Sequence, residues 1–72
     1  IREIVKLALD EYADRLIIAH NHPGGSPEPS QEDIMFTRRL AQAMSLVDVS
    51  LLDHFIVTAQ SVCSFRQLGL MP

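Results

Sequence analysis

Between His20 and Asp33 the chain reads His20-Asn21-His22-Pro23-Gly24-Gly25-Ser26-Pro27-Glu28-Pro29-Ser30-Gln31-Glu32-Asp33, and this stretch limits what the chain can fold into more than any other. Two histidines one residue apart close an apolar run, Leu16-Ile17-Ile18-Ala19. A short run rich in β-branched residues predicts a strand buried on both faces, of the kind found in parallel or mixed sheets. Residues i and i+2 of a strand share a face, so His20 and His22 project together while Asn21 points away. Pro23 has no amide to donate and disfavours helical geometry at His22, so the strand ends there. Pro23 to Pro29 holds three prolines and two glycines, which makes a loop with few accessible shapes instead of a slack connector. Ser30 then has the form of a helix N-cap, with Asp33 three residues on.

The flanking segments supply the rest of an α/β domain. From Arg2 to about Ala13, apolar Ile4, Val5, Ala8 and Tyr12 alternate with charged Glu3, Lys6 and Asp10 at a period near 3.6, which predicts an amphipathic helix. From Gln31 to about Val47, the apolar set Ile34, Phe36, Leu40, Ala41, Ala43, Met44 and Val47 faces Arg38, Gln42 and Ser45 across a second helix of roughly four turns. Val49 to Val57 reads as a second strand and Ser61 to Phe65 as a short third one. The order is helix, strand, helix, strand, strand, around a mixed sheet. Strand, loop, helix, strand is the layout of a crossover unit, in which the helix begins near the carboxyl edge of the first strand. Open α/β sheets bind ligands at that edge, so the first turn of the Ser30 helix is expected beside the histidines.

Two neutral imidazoles and a carboxylate form an N/N/O donor set that suits Zn²⁺ and leaves a fourth position for water. His20, His22 and Asp33 are the expected ligands. Zinc lowers the pKa of its water towards 7 and polarises a carbonyl, and Ser30 is placed to donate a hydrogen bond to a developing oxyanion. A His-x-His pair alone is accounted for by ordinary surface histidines, and Ser30 with Asp33 alone by a capped helix. Their combination across a rigid loop points to a metal.

With 72 residues the chain forms one small domain, hiding about 60% of the surface its unfolded form exposes. Its net charge of −3 and pI near 5.4 argue against a broad phosphate-binding face. Arg38 and Arg39 are adjacent, but helical neighbours point about 100° apart and form no stripe. No apolar run approaches the roughly 18 residues of a membrane helix. The single cysteine, Cys63, suits a reducing compartment, so the expectation is a cytoplasmic protein, with Cys63 as a small buried hydrophobe. Asp53 and His54 interrupt an apolar strand and admit two readings. One of them orients a ligand histidine, or the two are a hydrogen-bonded pair near the start of the strand.

His20-x-His22, seven residues, Ser30, two residues and Asp33 resembles the H-x-H-x7-S-x2-D signature of the JAMM (MPN) metalloproteases. More narrowly, His20-Asn21-His22-Pro23 with Gly25, Pro27, Pro29-Ser30 and Glu32-Asp33, then Leu51-Leu52-Asp53-His54, Ser64-Phe65 and Gly69-Leu70, is similar to the C-terminal part of the RadC-like proteins. The similarity covers essentially the whole chain. It implies an α/β fold of the cytidine-deaminase-like type, zinc on the residues matching His20, His22 and Asp33, Ser30 beside it, and cleavage of an amide bond in a peptide or protein substrate. It also implies a glutamate on a strand upstream of the first helix, acting as general base on the zinc-bound water. None of Glu3, Glu11, Glu28 and Glu32 stands at a matching position, so residues 1–72 are expected to be the latter part of a domain whose opening strands precede Ile1. Gly24 stands where the RadC-like loop usually has Ser. Two other readings stay open: an interaction module that keeps the fold without catalysis, and a DNA-associated protein, which the family's DNA-repair name suggests and the acidic charge opposes.

Overall fold

Helix α1 spans Arg2–Asp10, strand β1 Arg15–Asn21, helix α2 Gln31–Leu46, strand β2 Ser50–Val57 and strand β3 Val62–Ser64 in a computed structural model that describes all of residues 1–72. The sheet order is β1-β2-β3. β1 runs parallel to β2 and β3 antiparallel to it, so the sheet is mixed and the element order is the expected one. No helix is long and apolar enough to cross a membrane.

Both helices bury their apolar stripes against one face of the sheet. Ala8 of α1 joins Leu40 and Met44 of α2 and Val49 in the central cluster, with Ile4, Val5, Leu16, Ile18 and Leu51 packed around it. Leu40, Met44, Ile56 and Phe65 are fully buried, each contributing about 1.5–3 kcal/mol through apolar burial. The other face of β1 is open. Its residues alternate between half-buried and exposed, and Ile17 is 54% exposed. The expectation of a strand buried on both faces is therefore corrected: nothing in these residues packs against the second face. Cys63 is likewise half-buried rather than buried, because β3 is an edge strand of three residues.

Each helix ends on a left-handed residue that is not glycine. Tyr12 has φ 54° and Asp48 φ 60°. The amides of Tyr12 and Ala13 donate to the carbonyls of Leu9 and Ala8, and those of Asp48 and Val49 to Ser45 and Met44. These paired bonds are the Schellman arrangement, which satisfies the last helical carbonyls. It ends α1 at Asp10, short of the expected Ala13.

One irregularity in the sheet determines which β2 side chains meet α2. Leu16 pairs with Leu51, but Ile17 pairs with Asp53, so Leu52 is an extra residue in β2. In a regular strand residues three apart point to opposite faces. The bulge turns both Leu51 and His54 to the helical face, where Leu51 packs on the core and His54 meets Thr37 of α2.

Candidate metal centre

At the carboxyl end of β1, His20 and His22 point to the helical face and meet the first turn of α2. Ser30 caps that turn. Its hydroxyl accepts from the Asp33 amide at 3.0 Å while its own amide donates to Asp33 Oδ2 at 2.9 Å. This reciprocal capping box fixes the Asp33 carboxylate beside the histidines. His20 Nε2 lies 3.6 Å from Asp33 Oδ1, and His22 Nε2 lies 3.3 Å from Asp33 Oδ2. All three candidate ligand atoms lie within 4.8 Å of one another.

The donor set fits zinc. Atoms about 2.0–2.1 Å from a tetrahedral zinc stand roughly 3.3–3.4 Å apart; the two histidine–carboxylate distances are near this value, each to a different oxygen of Asp33. The protonation of His22 can also be assigned. Its Nδ1 lies 3.1 Å from the Ser26 carbonyl, and since a carbonyl only accepts, Nδ1 carries the proton and an uncharged His22 has a bare Nε2. The Pro-rich loop makes this contact possible. Gly25 sits at φ 84°, in the left-handed region that glycine enters freely, and its amide closes a turn onto the His22 carbonyl at 3.2 Å.

His20 is engaged on its far side by a buried polar chain. His20 Nδ1 lies 2.7 Å from His54 Nε2, and His54 Nδ1 lies 2.7 Å from the Thr37 hydroxyl. Thr37 is fully buried and His54 is 2% exposed. The His54 ring stacks on Phe65 with centroids 4.4 Å apart. Burial, followed by the charge of His20, holds the His54 pKa below its usual value. Asp53, on the other side of β2, accepts from the Ser64 hydroxyl at 2.6 Å and from the amides of Arg66 and His54 at 3.0 and 2.7 Å. The two readings of Asp53 and His54 thus divide between them: His54 meets a ring of the cluster, and Asp53 ties the turn after β3 to β2.

At Asp33, burial pushes the carboxyl pKa up, but the Ser30 hydrogen bonds and the nearby His20 and His22 outweigh it and the net shift is downward. The carboxylate form is the one a metal requires. Burial, with help from Asp53 and Glu28, raises the Cys63 thiol, which argues against a reactive thiolate. None of the four glutamates joins the cluster. Sequence reasoning missed two participants. Thr37 looks like one more residue on the apolar stripe of α2, and the Ser26 carbonyl is backbone, with no side-chain signal.

Residues 1–70 match the family model described as RadC-like JAB domain. The chain belongs to the RadC-like JAB domain family. Among similar proteins, a UPF0758 protein of Neisseria meningitidis serogroup B is 97% identical over 72 residues, all of this chain and 32% of its own length. A UPF0758 protein of Bordetella petrii is 53% identical over 70 residues, 97% of this chain and 31% of that one. A third, from Thiobacillus denitrificans, is 56% identical over 68 residues, 94% of this chain and 30% of that one. This RadC-like chain spans about a third of the length of the curated relatives it matches.

Proposed function

We propose that this RadC-like domain holds a zinc ion on His20, His22 and Asp33 and serves the hydrolysis of an amide bond in a peptide or protein. The observation that supports this most is the facing of acceptors. His22 spends its proton on the Ser26 carbonyl, and its bare Nε2 then looks at a carboxylate oxygen 3.3 Å away. An uncharged imidazole and a carboxylate at that distance repel unless a proton or a metal ion lies between them, and a single metal ion would serve both histidines and Asp33 at once.

Zinc bound there supplies a Lewis acid for the scissile carbonyl and an acidic water. The remaining work falls to the chain. The capping box holds Asp33 in place. Ser30 uses its hydroxyl oxygen as the cap acceptor and keeps its proton to donate to the developing oxyanion, a contribution of about 2.7–4 kcal/mol from a preorganised donor. A groove lined by His22, Pro23, Gly24, Gly25, Thr58 and Gln60 adjoins the cluster at His22 and is the place we assign to the substrate. None of Glu3, Glu11, Glu28 and Glu32 is among the clustered side chains, and we assign the role of general base to none of them. The lone Cys63 fits a reducing, cytoplasmic setting.

The test is the zinc content of the purified chain after zinc loading and desalting. We expect about one zinc per chain and almost none in a His20→Ala/His22→Ala variant. Equal metal in both would sink the site.

A further inference from the structure

We propose that His54 is a positioning residue that, backed by Thr37, holds His20 in the tautomer whose Nε2 is free to bind a metal. The inference rests on the zinc reading above and specifies how one ligand is kept ready.

Proton positions along this relay are fixed from its Thr37 end. The Thr37 hydroxyl lies 2.8 Å from the Asp33 carbonyl oxygen and 2.7 Å from His54 Nδ1. It has one proton to give. The carbonyl can only accept, so both contacts are hydrogen bonds only if Thr37 donates to Asp33 and accepts from His54 Nδ1–H. An uncharged His54, as burial at 2% exposure against Phe65 favours, then has a bare Nε2. His20 Nδ1, 2.7 Å away, must donate to it. An uncharged His20 whose proton sits on Nδ1 presents a lone pair on Nε2, the atom that faces Asp33 at 3.6 Å. Running the chain the other way, with Thr37 donating to His54, ends with a proton on His20 Nε2 and blocks the ligand atom. The Asp33 carbonyl therefore decides the polarity of the whole relay.

The arrangement is specific to this strand. Were residues 51–54 paired in regular register, with no bulge at Leu52, Leu51 and His54 would point to opposite faces. The stack on Phe65 then holds the ring plane, with centroids 4.4 Å and planes 21° apart.

Two measurements on the 72-residue chain test the proposal. The first is the tautomer of each histidine in the metal-free wild type, from long-range ¹H–¹⁵N correlation spectra. We expect His20 and His54 both as Nδ1–H, and His20 as Nε2–H would overturn the relay whatever the zinc result. The second is zinc affinity, by chelator competition, in Thr37→Val and Thr37→Ser. Removing the hydroxyl releases the polarity, so Thr37→Val should move the His20 proton to Nε2 and weaken zinc about 10–100-fold, whereas Thr37→Ser should restore both readouts. A Thr37→Val variant that keeps the wild-type tautomer and affinity would refute the proposal, and if Thr37→Val does not fold, the wild-type spectrum alone decides. A chain with His20 as Nδ1–H that takes up no zinc keeps the relay and removes the metal reading. A chain that binds zinc with His20 as Nε2–H does the reverse.

Discussion

The observed role of Ser30 as a cap can be measured apart from the oxyanion role proposed for it. As the cap of α2 it accepts from the Asp33 amide, so Ser30→Ala should cost about 1 kcal/mol of stability. That lowers the melting temperature by about 4–8 °C in a domain this small, and Ser30→Asn, an equally good cap, should recover most of it in a thermal melt. Asp53 carries a pH dependence. Burial pushes its carboxyl pKa up, but hydrogen bonds from Ser64, Arg66 and His54 bring the net below the usual range. A carboxyl with a depressed folded pKa contributes stability that is present above its unfolded value, about 3.9, and lost as the pH falls through the folded one. Urea unfolding followed by circular dichroism should therefore show wild-type stability dropping below about pH 4. Asp53→Asn should be less stable at pH 7 and lose less on acidification. A parallel loss in both proteins would remove Asp53 from the account. At this scale His20, His22, Ser30 and Asp33 were legible because a period of two and an N-cap are local rules. Thr37 was not, because its role depends on His54, 17 positions away in sequence.

Helix starts and helix ends were unequally legible. The start of α2 is announced by Ser30 and Asp33, but the ends of both helices carry Tyr and Asp where glycine is the usual signal. An aromatic residue in the left-handed region costs roughly 1–2 kcal/mol, and Tyr12, at 95% exposed, has almost no packing to lose. Tyr12→Gly should therefore stabilise the chain by about 1 kcal/mol, read as a higher denaturant midpoint at unchanged slope. Asp48→Gly should gain less, since Asp tolerates this conformation better. A lower midpoint for Tyr12→Gly would mean that its φ of 54° is not a strained position. The bulge in β2 was invisible for a different reason: it is a relation between two strands, and Leu51-Leu52-Asp53-His54 has no glycine to mark it.

For the molecule as a whole, the crossover layout was readable from the order of periodic segments, but coverage of the sheet was not. Coverage depends on what packs against the second face, and in these residues Ile17 stays half in solvent. Only 10 of 72 residues are buried, so ligand binding should weigh heavily in stability. A zinc ion that binds only the folded state at 100 times its Kd adds about 2.7 kcal/mol. Scanning fluorimetry should show a rise of about 10–20 °C with zinc, reversed by chelator, and absent in the His20→Ala/His22→Ala variant. The same melting curve with zinc and with chelator would contradict the proposed centre.

The extra residue in β2 also sets where the chain can change length. Loss of Leu52 would leave Asp53, His54 and Ile56 opposite Ile17, Ile18 and His20 as they are now, turning an irregular strand into a regular one. Loss of Phe55, three positions on, leaves no such slack, because either His54 or Ile56 must surrender its face. Loss of Leu52 is thus absorbed by the strand, whereas loss of Phe55 is punished.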